Sequence, residues 1–566
     1  MYIKSIYRNE YTTRCIYYIK LILYEKSSQF IVAGHLVKSS QRDSLPYTKI
    51  KMFFTIAIAV LLVVLYLFNQ HKHRFWINRG FVQLEPKFFI GDLGPLLMMK
   101  TSIGQFFHNI YVKHKQHKAL GIYMGLSPVI VVNDPILLQH ILVRDFSSFH
   151  DRPVPFDLEH DVLQNHLFQI PGQKWRDLRV KLSPTFTSGK LKGMFSVIRD
   201  CGKVLQDYLV KNVENGVDVY EFRELFARLN TSIISSVAFG IENDCVNEPD
   251  HIFRRMGSKT FAVDKRAIIR NTLAFFCPKL IKILKFKITD PELEEFVFTV
   301  VKQTIEYRKT NNVERNDFMQ LLIQLKDKGY VSVDKGDDVT ENQDMKKLTL
   351  DEVAANVFVF FQAGFETSSS TLSFCLFELA RHPEIQRKAQ QEIDKVLKAS
   401  GQNDFTYEIL SELKYLQHCI DEALRKYPIL PLLFRICTED YQIPGTELTI
   451  PKDTGVMIPA LGFHRDPEIY DNPMEFRPER FIDSPTGSSV KGCYYLPFGD
   501  GPRNCIGMRM GKLTSKLGLA LVLSKFNVEL ADETMADKEL EFHRVQFILV
   551  PVKEFNLKIT PRTPTA

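Results

Sequence analysis

Three kinds of apolar run divide this chain. The first, FFTIAIAVLLVVLYLF (Phe53 to Phe68), carries no charge. As a helix its 16 residues reach about 24 Å, a little less than a hydrocarbon core of roughly 30 Å. The residues behind it, NQHKHRFW, are polar, basic and bulky, with no small-x-small cleavage site. That pattern favours an uncleaved signal anchor over a cleaved signal peptide. The second kind is β-branched: GIYMGLSPVIVVND (Gly121 to Asp134) predicts a hairpin turning at its Ser-Pro. From about Pro135 onward a helical period dominates. Its strongest instance is a long helix from about Leu350 to Arg381, with Thr349 or Asp351 near its start and HPE stopping it. Apolar all round, that helix belongs inside a domain. The polar, Gly-punctuated stretch Lys326 to Lys347 is a solvated loop. No internal repeat interrupts the sequence.

These runs predict a mainly α protein with a small β subdomain, one large domain at 101–566 behind an anchor at 52–70. Residues 71–100, punctuated by Pro86, Gly91, Gly94 and Pro95, form a connector. Residues 1–51 are rich in tyrosine, lysine and arginine, lack any period and end at KIKM, which marks them as an extension ahead of a true start at Met52. With that extension, positive charge flanks the anchor on both sides. From Met52, only Lys72, Arg74, Arg79 and Lys87 remain, all after the anchor, and the domain then stays cytosolic.

Composition narrows the function class. A formal charge of +7 over 566 residues is too mild and dispersed to argue for nucleic acid. Nine cysteines, with no CxxC pair and no zinc-like Cys/His spacing, read as free thiols in a reducing compartment.

One cysteine stands out. FGDGPRNCIG (Phe498 to Gly507) precedes the apolar helical run KLGLALVLSKF, which puts Cys505 at or just before a helix N-terminus. There the dipole and free N–H groups favour thiolate. Gly499, Gly501 and Gly507 allow close backbone approach to a flat ligand, and Arg503 can reach an anionic group on it. A thiolate presented this way suits a haem iron.

The segment resembles the haem-binding loop of the cytochrome P-450 superfamily, and three further motifs follow in family order. AGFETSSS (Ala363 to Ser370) lies in the long helix; the resemblance makes Thr367 the alcohol and Glu366 the acid of proton delivery, with Gly364 opening the helix locally. Taken alone, Thr367 reads as a threonine back-bonded to its own helix. Glu422 and Arg425 in EALR share a helix face, and Arg480 in NPMEFRPERF completes a structural Glu–Arg–Arg network. Trp175 and Arg179, four apart, together with Arg435 in LFRIC, correspond to contacts of the haem propionates. The wording is most similar to microsomal insect enzymes that oxidise foreign compounds.

The resemblance implies haem b with an axial Cys505 thiolate, and site residues Trp175, Arg179, Arg435, Phe498, Arg503, Gly507, Glu366 and Thr367. It implies insertion of one atom of O₂ into a lipophilic small molecule at the endoplasmic reticulum membrane. Electrons come from NADPH through NADPH-cytochrome P-450 reductase, with cytochrome b5 a second donor. Lys512 and Lys516 are candidate docking residues or plain solvated lysines. PFDLEHDVLQNHLF (Pro155 to Phe168) and the phenylalanine-rich Phe261 to Phe298 line the pocket or fill core. A thiolate-haem isomerase or dehydratase, and a non-catalytic haem or ligand-binding protein, are the rival readings.

Overall fold

The computed structural model describes residues 45–154, 158–261, 283–285, 287–330, 347–402, 404–487 and 492–563. Contacts divide the chain into two units, Met1–Gln70 and His71–Ala566. In the first, helix α1 (Leu45–Lys72) holds the apolar run. It is exposed from Phe53 to Phe68 except at half-buried Leu65, with a mean hydropathy of 2.6 in its most apolar stretch. At 28 residues it is about 42 Å long, enough to cross a bilayer that the apolar run alone falls short of. Most of the expected leader, 1–44, lies outside the described residues. So do 331–346 of the expected loop, and 155–157, 262–282 and 286 of the expected pocket segments.

The hairpin forms, but not around Ser-Pro. Strands β1 (Ala119–Met124) and β2 (Ser127–Val132) pair with Met124 opposite Ser127. The turn is therefore Gly125–Leu126, with Gly125 at φ +64°, as a tight two-residue connection requires. Strands β3 (Leu433–Ile436) and β4 (Gly455–Ile458) complete a sheet of order β1-β2-β4-β3, in which β2 and β4 run parallel. Residues 71–100 are more than a connector, since they place Trp76, Phe81 and Leu93 in the core. Trp76 lies on the bare backbone of Gly121, where a Cβ would come within 2.4 Å of its ring, and its indole N–H donates to the Ile122 carbonyl at 3.2 Å.

Helices surround this sheet, and about 56% of the structure is helical. Those that build the site are α2 (Gly172–Leu182), α3 (Phe222–Ile234), α4 (Leu350–Arg381), α5 (Lys414–Lys426) and α6 (Met508–Lys525). α4 begins at Thr349 with a reciprocal cap: Glu352 N–H donates to Thr349 Oγ1 (3.1 Å) and Thr349 N–H to Glu352 Oε2 (2.8 Å). It ends where Pro383 opens the next helix. Its side chains are buried nearly throughout, so it is the axis of the core. Glycines let neighbours close on it: a Cβ on Gly364 would stand 2.6 Å from Ile234 of α3, and one on Gly518 of α6 3.0 Å from Leu372.

Candidate active site

Asp500, Gly501 and Cys505 shape the loop before α6. Asp500 caps its turn by accepting from the Gly501 N–H at 2.7 Å, and the Cys505 N–H closes it onto the Phe498 carbonyl at 2.8 Å. Gly499 and Gly501 sit at φ +69° and +67°. The glycines do not all serve ligand approach, as their spacing implied. A Cβ on Gly501 would fall 1.8 Å from the Leu142 carbonyl oxygen, so that glycine seats the loop on protein. Gly507 has nothing within 4 Å of its Cβ position and borders open space. Cys505 is exposed, but to an interior cavity, which Phe498, Trp175 and Thr367 also border. Burial raises its thiol pKa; the Gly507 N–H and the charges of Arg179 and Arg152 act the other way. The other cysteine of this region, Cys493, donates to Asp500 at 2.8 Å and is buried away from the cavity.

Four guanidinium groups border the same cavity: Arg152, Arg179, Arg435 and Arg503. Arg503 is the best held, donating to the carbonyls of His150 (2.9 Å), Ile170 (2.9 Å) and Leu167 (3.3 Å). It also lies 4.0 Å over the Trp175 ring, so the cation on that indole is Arg503 and not its helix neighbour Arg179. Arg179 reaches across to Asn504, donating to its carbonyl and to its Oδ1, each at 2.9 Å. Arg435, 2% exposed, donates to the Phe434 carbonyl, and its Nε is buried with no partner. Burial pushes Arg435 down to about 10; burial and then Arg435 push Arg503 down to about 9. Arg152 is lowered too, by burial and by its cationic neighbours. The nearest ion-paired carboxylate is Asp151, 3.9 Å from Arg503. Four cations, two of them buried and two half-buried, around one carboxylate need anionic charge from a ligand. Arg152 is absent from the sequence reading because it sits in a loop with no partner at helical spacing.

α4 supplies a wall through Val359, Phe360, Ala363, Gly364, Thr367, Ser368 and Thr371. Thr367 faces the cavity, and its hydroxyl donates to the Ala363 carbonyl at 2.6 Å. The helix runs unbroken through Gly364, whose role is contact with Ile234 rather than a local opening. Glu366 is not beside Thr367 on that wall. It is 4% exposed and accepts from Arg223 of α3 at 2.6 Å, with Ser370 at 3.4 Å. The lysines proposed for docking are engaged too: Lys512 pairs with Asp421 at 2.9 Å, and Lys516 donates to the Leu410 carbonyl at 3.1 Å.

The loop's scaffold is clamped from below. Arg425 grips Glu422 with two bonds (2.7 and 3.0 Å), and Arg480 adds a third at 3.1 Å, all three side chains being buried. Arg425 also holds the carbonyls of His464 and Pro473, both at 2.7 Å. His464 accepts from the Leu496 N–H through Nε2 (2.8 Å), so its Nδ1 carries the proton to the Arg425 carbonyl (2.9 Å). One chain of bonds therefore joins α5 to the residues entering the cysteine loop.

Residues 86–559 match the family described as Cytochrome P450. The chain belongs to that family. Cytochrome P450 6d1 of Musca domestica is 38% identical over 509 residues, 88% of this chain and 98% of the relative. Cytochrome P450 6k1 of Blattella germanica is 39% identical over 492 residues, covering 86% and 93%. Cytochrome P450 6a2 of Drosophila melanogaster is 38% identical over 514 residues, covering 90% and 99%. As a cytochrome P450 it is a monooxygenase, and the family's prosthetic group is a haem held by a cysteine thiolate. The residues present fit that group. A lone thiol opens onto the cavity beside a glycine with free space, and the unpaired Arg435 Nε lies among cations suited to a ligand bearing two carboxylates. With its open mouth included, the cavity spans about 1820 Å³ of empty space, lined largely by apolar side chains.

Proposed function

We propose that this cytochrome P450 oxygenates bulky, lipophilic small molecules of the foreign-compound class, drawing electrons from NADPH through a membrane-bound reductase. The observation that carries this reading is the cavity, where Cys505, the arginine cluster and Thr367 border one space otherwise lined largely by apolar side chains. Bound there, the haem supplies the redox centre at which O₂ is split and one of its atoms enters the substrate.

The chain's own residues do the rest. Cys505 would hold the haem iron through its sulfur, with the Gly507 N–H and the Arg179 and Arg152 charges offsetting part of the burial that raises its thiol pKa. Arg152, Arg179 and Arg435 would take the propionates, with Trp175 holding Arg503 in place by stacking. Phe498 and Gly507 shape the cysteine side. Thr367 holds a proton donor at the cavity wall, since its oxygen still accepts while its hydrogen bonds Ala363. Glu366 contributes from behind that wall, through its pair with Arg223. Phe186, Phe360, Ile429 and Leu433 exclude water and receive an apolar substrate.

The enzyme resides at the endoplasmic reticulum, anchored by α1 with the rest of the chain in the cytosol, and cytochrome b5 is a further electron donor. Reconstitution with purified reductase tests the whole reading. Lipophilic plant toxins and insecticides should give NADPH consumption with oxygenated products. Product formed without NADPH would make it an isomerase or dehydratase instead.

A further inference from the structure

Asp161 is a carboxylate with 0% exposure. No ion pair to it is seen among the described residues. It precedes a short turn, Val162–Gln164, yet its side chain does not cap that turn. Instead it reaches a segment more than a hundred residues away. Oδ2 accepts from the N–H groups of Ile288 (2.7 Å) and Thr289 (2.9 Å), and Oδ1 from the Thr289 hydroxyl (2.6 Å). Gln164 closes the set by donating to Thr289 Oγ1 at 3.1 Å. Both partners are buried, Thr289 at 5% and Gln164 at 8% exposure.

The two joined segments are unlike in stiffness. Thr289 leads directly into the helix Pro291–Thr310, capped by Asp290 and rooted in the core through Leu293, Val297 and Val301. The loop that Asp161 begins runs on to Leu167 and Phe168, which border the active-site cavity. That loop has a second tether, from the Leu167 N–H to Asn356 Oδ1 of α4 at 3.2 Å. Phe168 is thereby held 4.0 Å under Arg152. The cavity's Leu167–Phe168 wall is thus tied to α4 through its N–H and to Arg503 and Arg152 through its carbonyls, and its loop is fastened at the start by Asp161, a buried charge satisfied only by hydrogen bonds.

We infer that Asp161 is a positioning residue for substrate exchange: it latches the Leu167–Phe168 wall to the start of the helix Pro291–Thr310, and bulky ligands pass only when that latch lets go. The inference rests on the reading that substrate occupies this cavity. Removing the carboxylate strands the N–H groups of Ile288 and Thr289, which should open the joined segments and free the wall. Loss of hydrogen bonds to a charged acceptor corresponds to changes on the order of ten- to a hundredfold.

The test uses the full-length holoenzyme and two iron-binding probes, clotrimazole as the bulky one and imidazole as the small one. Asp161→Ala should speed clotrimazole dissociation about ten- to a hundredfold, followed by the Soret change. Imidazole, able to leave without wall movement, should change less than about twofold. Amide exchange over residues 287–293 and 162–168 should rise together in the same variant, a readout independent of the haem. Equal acceleration of both probes, or exchange unchanged in a folded Asp161→Ala protein, overturns the latch. Should Asp161→Ala not fold, Thr289→Val keeps two of the bonds; a selective effect on clotrimazole there supports the inference, and none overturns it. Turnover enters neither measurement, so failure to oxygenate foreign compounds would remove the proposed substrate class and leave the latch standing.

Discussion

A sulfur and a hydroxyl, Cys505 and Thr367, face the same cavity and should fail in different ways when replaced. Cys505→Ser removes the only cavity-facing thiol among the described residues. Its carbon monoxide complex should lose the red-shifted band that thiolate ligation gives. Cys493 cannot take over, being buried and bonded to Asp500; an unchanged band would refute the ligand assignment. Thr367→Ala leaves that ligation intact and removes the hydroxyl from the α4 wall. The carbon monoxide band and NADPH use should stay near normal while product per NADPH falls and hydrogen peroxide rises. General acid–base groups contribute on the order of 10²–10⁴-fold, and this loss should be smaller because Ser368 borders the same space. Glu366→Gln separates the acid from the alcohol. Its pair with Arg223 lies off the wall, so coupling should suffer less than in Thr367→Ala. Equal uncoupling by both variants would return Glu366 to direct proton delivery.

Between elements, the clamp from α5 to the cysteine loop is where small changes travel furthest. Glu422→Ala would leave Arg425 and Arg480 buried without their shared carboxylate, a loss of about 3–5 kcal/mol by precedent for broken buried pairs, visible as a lower thermal midpoint and poor haem retention. His464 gives the same clamp a pH dependence. Burial, with the Arg425 charge adding to it, lowers its pKa from 6.5 to about 3, so the folded state keeps it neutral where the unfolded chain would protonate it. The stability from that difference is complete above about pH 6.5 and drains away as pH falls toward 3. The slope should approach 1.4 kcal/mol per pH unit in that window. Denaturant titrations at pH 7, 6 and 5 should show it in the wild type and find it diminished in His464→Asn; parallel pH profiles would mean that His464 titrates normally. Gly501→Ala tests the neighbouring seat. A Cβ 1.8 Å from the Leu142 oxygen at φ +67° leaves no room, and the loss should exceed about 2 kcal/mol.

On the scale of the whole chain, what could be read in advance was local. The α4 pattern and its Thr349 cap, the two hairpin strands though not their turn at Gly125, the FGDGPRNCIG loop and the Glu422–Arg425 face each depend on residues a few positions apart, where periodicity and turn chemistry act. What escaped were pairings that only the fold creates. Arg152 meets Arg503 across 351 positions, Arg223 meets Glu366 across 143, and Asp161 meets Thr289 across 128; no spacing rule links such pairs. The same distinction governs α1, whose signal is purely compositional. Its apolar run is exposed from Phe53 to Phe68 except at half-buried Leu65, and burying that surface in lipid at about 25 cal/mol per Å² favours membrane insertion. His71–Ala566 carries its own sheet, core and active-site cavity, including Trp76 at its beginning. Removing residues 1–70 should therefore leave the carbon monoxide band and the thermal midpoint of the haem domain unchanged. The full chain should stay with the membrane pellet through an alkaline carbonate wash, and the truncated one should be released by it. Loss of the haem band on truncation would instead make α1 part of the fold, and retention in the washed pellet would assign integral anchoring to the remainder of the chain.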